Sequence, residues 1–178
     1  MNYIKLFEDF ESDYDGDKYF DFTSLERFGA FENPIYFMLE KGKEFKLLHI
    51  SPDSYLSRIA IGFGGLSRDD LMAAVNMNLV HKYANDMKRG DKFPIGYYTL
   101  EKPDQEGRHR ALACKELGVT SMPVIEIINL TKRDTDNLAI MFNKLSTEEL
   151  NSYLKENGYN EASSLDIRTI KNYIEYKL

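Results

Sequence analysis

The residues best suited to chemistry stand together in the run Gln105-Glu106-Gly107-Arg108-His109-Arg110-Ala111. A glycine, two arginines and a histidine at the mouth of a helix suit an anion. Glycine lets backbone approach a ligand closely. The free N–H groups and positive dipole end of the helix favour phosphate. Arg108 and Arg110 can add charge-assisted, often bidentate hydrogen bonds. Gly107, Arg108, His109 and Arg110 are therefore the candidate phosphate-binding residues. Phosphoryl chemistry needs such clamps plus a group that positions a metal or a nucleophile. Glu106 and His109 are the candidate catalytic residues, Glu106 as metal contact or general base and His109 as phosphate contact, acid or base. Asp104 and Glu126 are the further acidic candidates for a metal. The plain alternative for Glu106 is a salt bridge to Arg108 or Arg110.

The elements that must position these residues can be read around them. Ile95–Leu100 reads as a strand, 101–104 as a turn, and 108–117 as a helix ended by Gly118. Pro123–Ile128 reads as a buried strand with proline at its start, where a missing N–H is tolerated. Upstream, Ile35–Leu39 and Phe45–Ile50 flank a glycine-containing turn and read as a hairpin. Ser51-Pro52-Asp53 opens a helix with Tyr55, Leu56 and Ile59 on its apolar face. Gly62, Gly64 and Gly65 mark a loop with no Gly-Lys-Ser/Thr ending, so it is not a P-loop. Ser67 and Asp70 suggest a capping box, and helical spacing then continues from Leu71 to Met87, with Met72, Met77 and Met87 read as core. In the tail, Asp134 is the expected cap of a helix to about Lys144. Ser146 and Glu149 form a capping box for a helix closed by Gly158, and Ser164 caps a last one. A helix-turn-helix is the DNA-reading alternative there, but 147–177 carries no basic stripe.

The stretch QEGRHRALACKELGVTSMPVIEI resembles the core of the ParB/sulfiredoxin superfamily: a strand, a Gly-x-His/Arg-Arg turn, a helix with a Leu-Gly end, then a Pro-Val strand. FKLLHISPDSYL resembles that family's opening strand and Pro-containing step into a helix. VHKYANDMKRGDKFPIGYYTL resembles its helix–Gly–Pro–strand before the motif. The resemblance covers about residues 45–130. It implies an α+β fold, a small mixed sheet with helices of ParB/sulfiredoxin type, here followed by a helical tail. It also implies phosphate binding by Gly107, Arg108, His109 and Arg110. Sulfiredoxins place a catalytic cysteine where this chain has Arg108, so their chemistry does not carry over. Cys114, one turn along, is read as a small core residue. The opening YIKLFEDF resembles the start of tailed-phage proteins.

The expected organisation is an acidic extension (1–44), the phosphate-binding core (45–130) and the helical tail (131–178). The net charge of −6 lies wholly in residues 1–44, while 79–115 carry a local +3 around the glycine motif. Asp13, Asp15, Asp17 and Asp21 alternate as in a calcium loop but lack its bidentate glutamate, and read as a solvated acidic linker. A pI near 5.2 argues against sequence-blind nucleic-acid binding, leaving DNA an unfavoured partner. A single cysteine, no signal-like start and no apolar run of spanning length point to the cytoplasm, a host's if phage-encoded, and to no membrane partner. His49 and His81 read as structural, and no Cys/His cluster calls for zinc, nor any motif for haem. The expected ligand is a nucleotide or other phosphate, with Mg2+ accompanying it. The expected function is a metal-dependent nucleotide hydrolase, with a phosphotransferase as its enzymatic variant, or a nucleotide-gated switch. The alternatives are a phage-type interaction protein or a ParB-like nuclease or DNA-binding protein, with a homodimer or protein partner.

Overall fold

The computed structural model describes residues 14–31, 33–157, 159, 170–172 and 174–175. The helix expected at 2–10, Asp13, the Gly158 stop and the Ser164 cap lie outside the described residues. In chain order the elements are β1 (Phe20–Asp21), α1 (Pro34–Glu40), β2 (Lys43–Ile50), α2 (Pro52–Gly62), α3 (Arg68–Ala73) and α4 (Met77–Lys88). Then come β3 (Phe93–Pro94), β4 (Gly96–Tyr98), β5 (Gln105–Glu106), α5 (Arg108–Glu116), β6 (Met122–Asn129), α6 (Lys132–Lys144) and α7 (Thr147–Glu156). The fold is α+β with a helical C-terminal region. The chain divides into two compact units, Met1–Leu25 with Leu47–Glu126, and Glu26–Lys46 with Ile127–Leu178.

In the first unit β1 runs parallel to β3. The larger sheet has the order β2-β6-β4-β5. β4 lies parallel to β6, with Gly96 opposite Val124 and Tyr98 opposite Glu126, and antiparallel to β5, with Tyr97 opposite Glu106. A strand, a helix and a strand follow one another through the Gly-Arg-His-Arg run, as expected; the parallel pairing and the short β5 before the helix were not foreseen. α5 is held from its buried side by Ala111, Leu112, Ala113 and Cys114 and packs on α4 and α2. Tyr55, Ile59, Leu71, Met87, Ile95, Tyr98 and Ile125 are among the other buried residues of this core. Gly62, the last residue of α2, is in close contact with the 99–102 turn: a Cβ there would sit 2.6 Å from the Thr99 carbonyl oxygen.

In the second unit, Ile35 and Met38 of α1, Phe142 of α6, and Leu150 and Leu154 of α7 are fully buried. The buried Tyr159 hydroxyl donates to the Phe45 carbonyl oxygen at 2.5 Å.

Four expectations are corrected. The run Ile35–Leu39 is helix, not the first strand of a hairpin. Asn33 caps it by accepting from the Tyr36 amide, Pro34 takes the first turn, and Ile35 and Met38 share the buried face. The continuous helix from Leu71 to Met87 is two helices, broken at 74–76 because the Asn76 side chain accepts from the Leu79 amide and starts α4 afresh. The α6 cap is Thr131; Asp134 is its partner three residues on, closing the box by accepting from the Thr131 amide.

The fourth correction concerns the acidic run, whose described members are hydrogen-bonded into the fold, although Asp15 itself stays exposed. Asp15 accepts from the amides of Thr120 and Ser121 at 2.8 and 2.9 Å. Those bonds hold its carboxyl below the usual range, with the one from Thr120 the largest cause. Gly16 donates to the Ser121 carbonyl and has no room for a side chain, since a Cβ would collide with that same oxygen. Asp17 contacts His49 at 2.9 Å, and Tyr14 stacks on that imidazole. Asp21 accepts from the Thr23 amide and hydroxyl.

Candidate functional site

The turn into α5 is forced by space. Gly107 has φ of +125°, a region closed to most side chains. Its neighbour across the turn is Gly96 of β4. A Cβ on Gly107 would lie 3.1 Å from the Gly96 Cα, and a Cβ on Gly96 would collide with the Glu106 carbonyl. The two glycines let β5 and the helix start close on β4. The Tyr55 hydroxyl seals the turn at 3.0 Å from the Glu106 carbonyl oxygen. Burial pushes the Tyr55 pKa upward, so it remains a hydroxyl donor.

The residues after the turn divide by direction. Arg110 points inward and is 7% exposed. Its Nη1 donates to the Pro94 carbonyl and its Nη2 contacts Glu106 Oε1 at 2.5 Å. The cavity beside it, bounded by Phe20, Tyr55, Gly96, Gly107 and Val124, is about 10 Å³, space for about one water. Arg110 therefore braces β3 and the turn. The ion pair weighed for Glu106 is present, and its partner is Arg110 rather than Arg108.

Arg108 and His109 turn toward the α3–α4 segment instead. Arg108 Nη1 donates to the Leu71 carbonyl at 3.2 Å. Its Nε is buried and has no hydrogen-bond partner among the described residues. His109 Nε2 accepts from the Asn76 amide at 3.2 Å. Burial first, and the Arg108 charge second, lower the His109 pKa below the ordinary imidazole value. No side chain caps the first turn of α5.

The remaining acidic candidates have other partners. Asp104 accepts from the Tyr97 hydroxyl and pairs with Lys102 at 3.4 Å. Glu126 pairs with Arg58 at 3.2 Å and accepts from the Tyr98 hydroxyl at 3.1 Å. Neither is brought to the Arg108–His109 turn by any of these contacts. No group of three or more His, Cys, Asp or Glu among the described residues is placed to hold a metal ion. His81 pairs with Glu116 at 2.8 Å and Arg89 with Asp86 at 2.5 Å. Cys114 is buried, its thiol pushed up to about 12 by burial, which leaves it unreactive.

Leu71, Asn76, Tyr55, Gly96 and Pro94 complete this site and were not singled out for it from the sequence. One signal was available: a glycine inside a strand, as at Gly96, marks a close backbone approach. No helix of the described residues is long and apolar enough to cross a membrane. Compared with family models, curated proteins and solved structures, the chain matches none.

Proposed function

We propose that this chain is a nucleotide-phosphate-binding protein of ParB/sulfiredoxin type. In this reading the ligand's phosphate is taken at the start of α5 by Arg108, His109 and the backbone amides of the first turn. One observation carries it: the helix start has no side-chain cap, and Arg108 beside it keeps a buried Nε without a described partner. A buried donor left unmatched costs about 1–3 kcal/mol, so an acceptor arriving there is favoured. A phosphate oxygen is such an acceptor, and the helix dipole adds to its attraction. The resemblance of 105–127 to the ParB/sulfiredoxin motif supports the same residues. Gly107 and Arg110 serve the reading indirectly, as the turn and its brace.

Binding that gates a change is favoured over turnover. Glu106, the acid nearest the turn, is engaged by Arg110. Among the described residues the carboxylates near the motif form no group of three, and a magnesium ion in this reading is one carried by the ligand's own phosphates.

Thermal melting tests the proposal, run with ATP, GTP, CTP, UTP and short DNA, each with Mg2+, on wild type and Arg108→Ala. A ligand at 100 times its dissociation constant should stabilise by about 2.7 kcal/mol. A shift for one nucleotide, lost in Arg108→Ala, is the expected result. No shift with any nucleotide would overturn the reading, and a shift with DNA alone would replace it with the DNA-binding alternative.

A further inference from the structure

Arg108 and His109 share a pattern. Each is anchored on the α3–α4 segment by one nitrogen and keeps another. Arg108 uses Nη1 on the Leu71 carbonyl and keeps Nε. His109 uses Nε2 on the Asn76 amide and keeps Nδ1. A backbone amide can only donate. Nε2 must therefore offer a lone pair, and in a neutral ring the proton then sits on Nδ1.

We infer that His109 is a neutral, fixed Nδ1–H donor to the ligand phosphate, held in that tautomer by the backbone amide of Asn76, and not a group that exchanges protons with the ligand. The inference rests on the phosphate-binding reading for the ligand's identity, and on the Asn76 contact alone for the tautomer. It removes His109 from the acid–base role its sequence position suggests. It makes Asn76 a positioning residue, acting through its main chain. It also links occupancy to the α3–α4 segment. A phosphate accepting from Nδ1–H makes Nε2 a better acceptor, so each bond strengthens the other. Ligand binding should therefore tighten the Asn76 amide rather than free it.

The test is two-bond 1H–15N NMR on uniformly 15N-labelled protein at pH 7. The expected spectrum shows His109 with its proton on Nδ1 and Nε2 unprotonated. A proton on Nε2, or an imidazolium, would overturn the assignment. Asn76→Ala keeps the amide and loses only the side-chain cap, so it should keep the tautomer; Asn76→Pro removes the amide and should release it. If Asn76→Pro does not fold, the wild-type spectrum still decides. Inorganic pyrophosphate is then titrated in. A shift of the Nδ1 signals, with slower hydrogen exchange at the Asn76 amide, is expected. Arg108 signals that move while Nδ1 stays still would overturn the donor role and leave phosphate binding standing. If neither moves with pyrophosphate or any nucleotide, the phosphate reading falls and the donor role with it, while the tautomer stands on its own spectrum.

Discussion

Glu106 and Arg110, four residues apart, form an ion pair of unequal burial: the arginine side chain is 8% exposed and the glutamate 46%. Removing either partner therefore has different consequences. Glu106→Ala leaves a buried guanidinium that still donates to the Pro94 carbonyl. Breaking a fully buried pair costs 3–5 kcal/mol, and the exposed glutamate reduces this to about 2–3 kcal/mol. Glu106→Ala with Arg110→Met should recover part of that loss, because no buried charge is then stranded. A double-mutant cycle in urea checks it; strictly additive costs would refute the coupling.

Gly96 and Gly107 should each resist alanine for different reasons. At Gly107 the positive φ alone costs about 1–3 kcal/mol. At Gly96 the backbone conformation is ordinary, but a methyl would displace the Glu106 carbonyl and part β5 from β4. Denaturant midpoints should fall for both. Tyr97 and Glu106 are opposed in the ladder, so their amides should lose hydrogen-exchange protection in Gly96→Ala. A wild-type midpoint for Gly96→Ala would disprove the close approach.

The lowered His109 pKa makes stability depend on pH in one direction. The neutral ring is favoured in the fold, so its contribution is complete above the ordinary value of 6.5. As pH falls below that value the unfolded chain takes up the proton first, and stability declines until the folded pKa is passed. His109→Asn lacks this part of the slope. Urea midpoints from pH 7.5 to pH 5 should fall more steeply for wild type than for the variant. Parallel curves would count against the depressed pKa.

Asp15 anchors its segment through two backbone amides. Asp15→Ala should therefore speed proteolytic cleavage in 14–20 while leaving nucleotide-induced melting shifts intact. The lowered Asp15 pKa gives the sign with acid: the anchor is in place above the ordinary carboxylate range and is lost as pH falls through the folded pKa. Unchanged cleavage in Asp15→Ala would mean the anchor contributes nothing.

In the second unit, Tyr159→Phe removes the donor to the Phe45 carbonyl. The cost should be about 1–2 kcal/mol, since a buried acceptor is left unmatched. Thermal denaturation followed at the helical signal is the check, and an unchanged midpoint would contradict it.

How much of this was legible follows from where each signal is stored. The strand–helix–strand run from 95 to 128 was legible because Gly107, Gly118 and Pro123 punctuate it locally. The caps at Ser51, Ser67 and Ser146 were legible for the same reason. The first helix was misread because five apolar residues fit either period; the missed signal was Asn33-Pro34, a cap followed by a first-turn proline. The break at Asn76 was hidden by apolar spacing that continues through it. The acidic run looked solvated because the partners of Asp15 and Asp17 lie far along the chain, at 120–121 and at 49. The division of labour between Arg108 and Arg110 could have been drawn from the sequence alone. Residues two apart on a helix do not face each other, so the two arginine side chains leave the helix start in different directions.

Gly16, Gly62 and Gly96 have consequences for recognising relatives of this chain. Each lies against a carbonyl oxygen that a single methyl would strike. None advertises itself by an unusual backbone angle, because their φ values are ordinary. A distant homologue could exchange Arg108 or His109 along with its ligand and keep the architecture. It could not put a side chain at these three places without rebuilding the segments that meet there. Their spacing, and not the basic motif that first draws the eye, is the signature by which divergent copies of the fold should be sought.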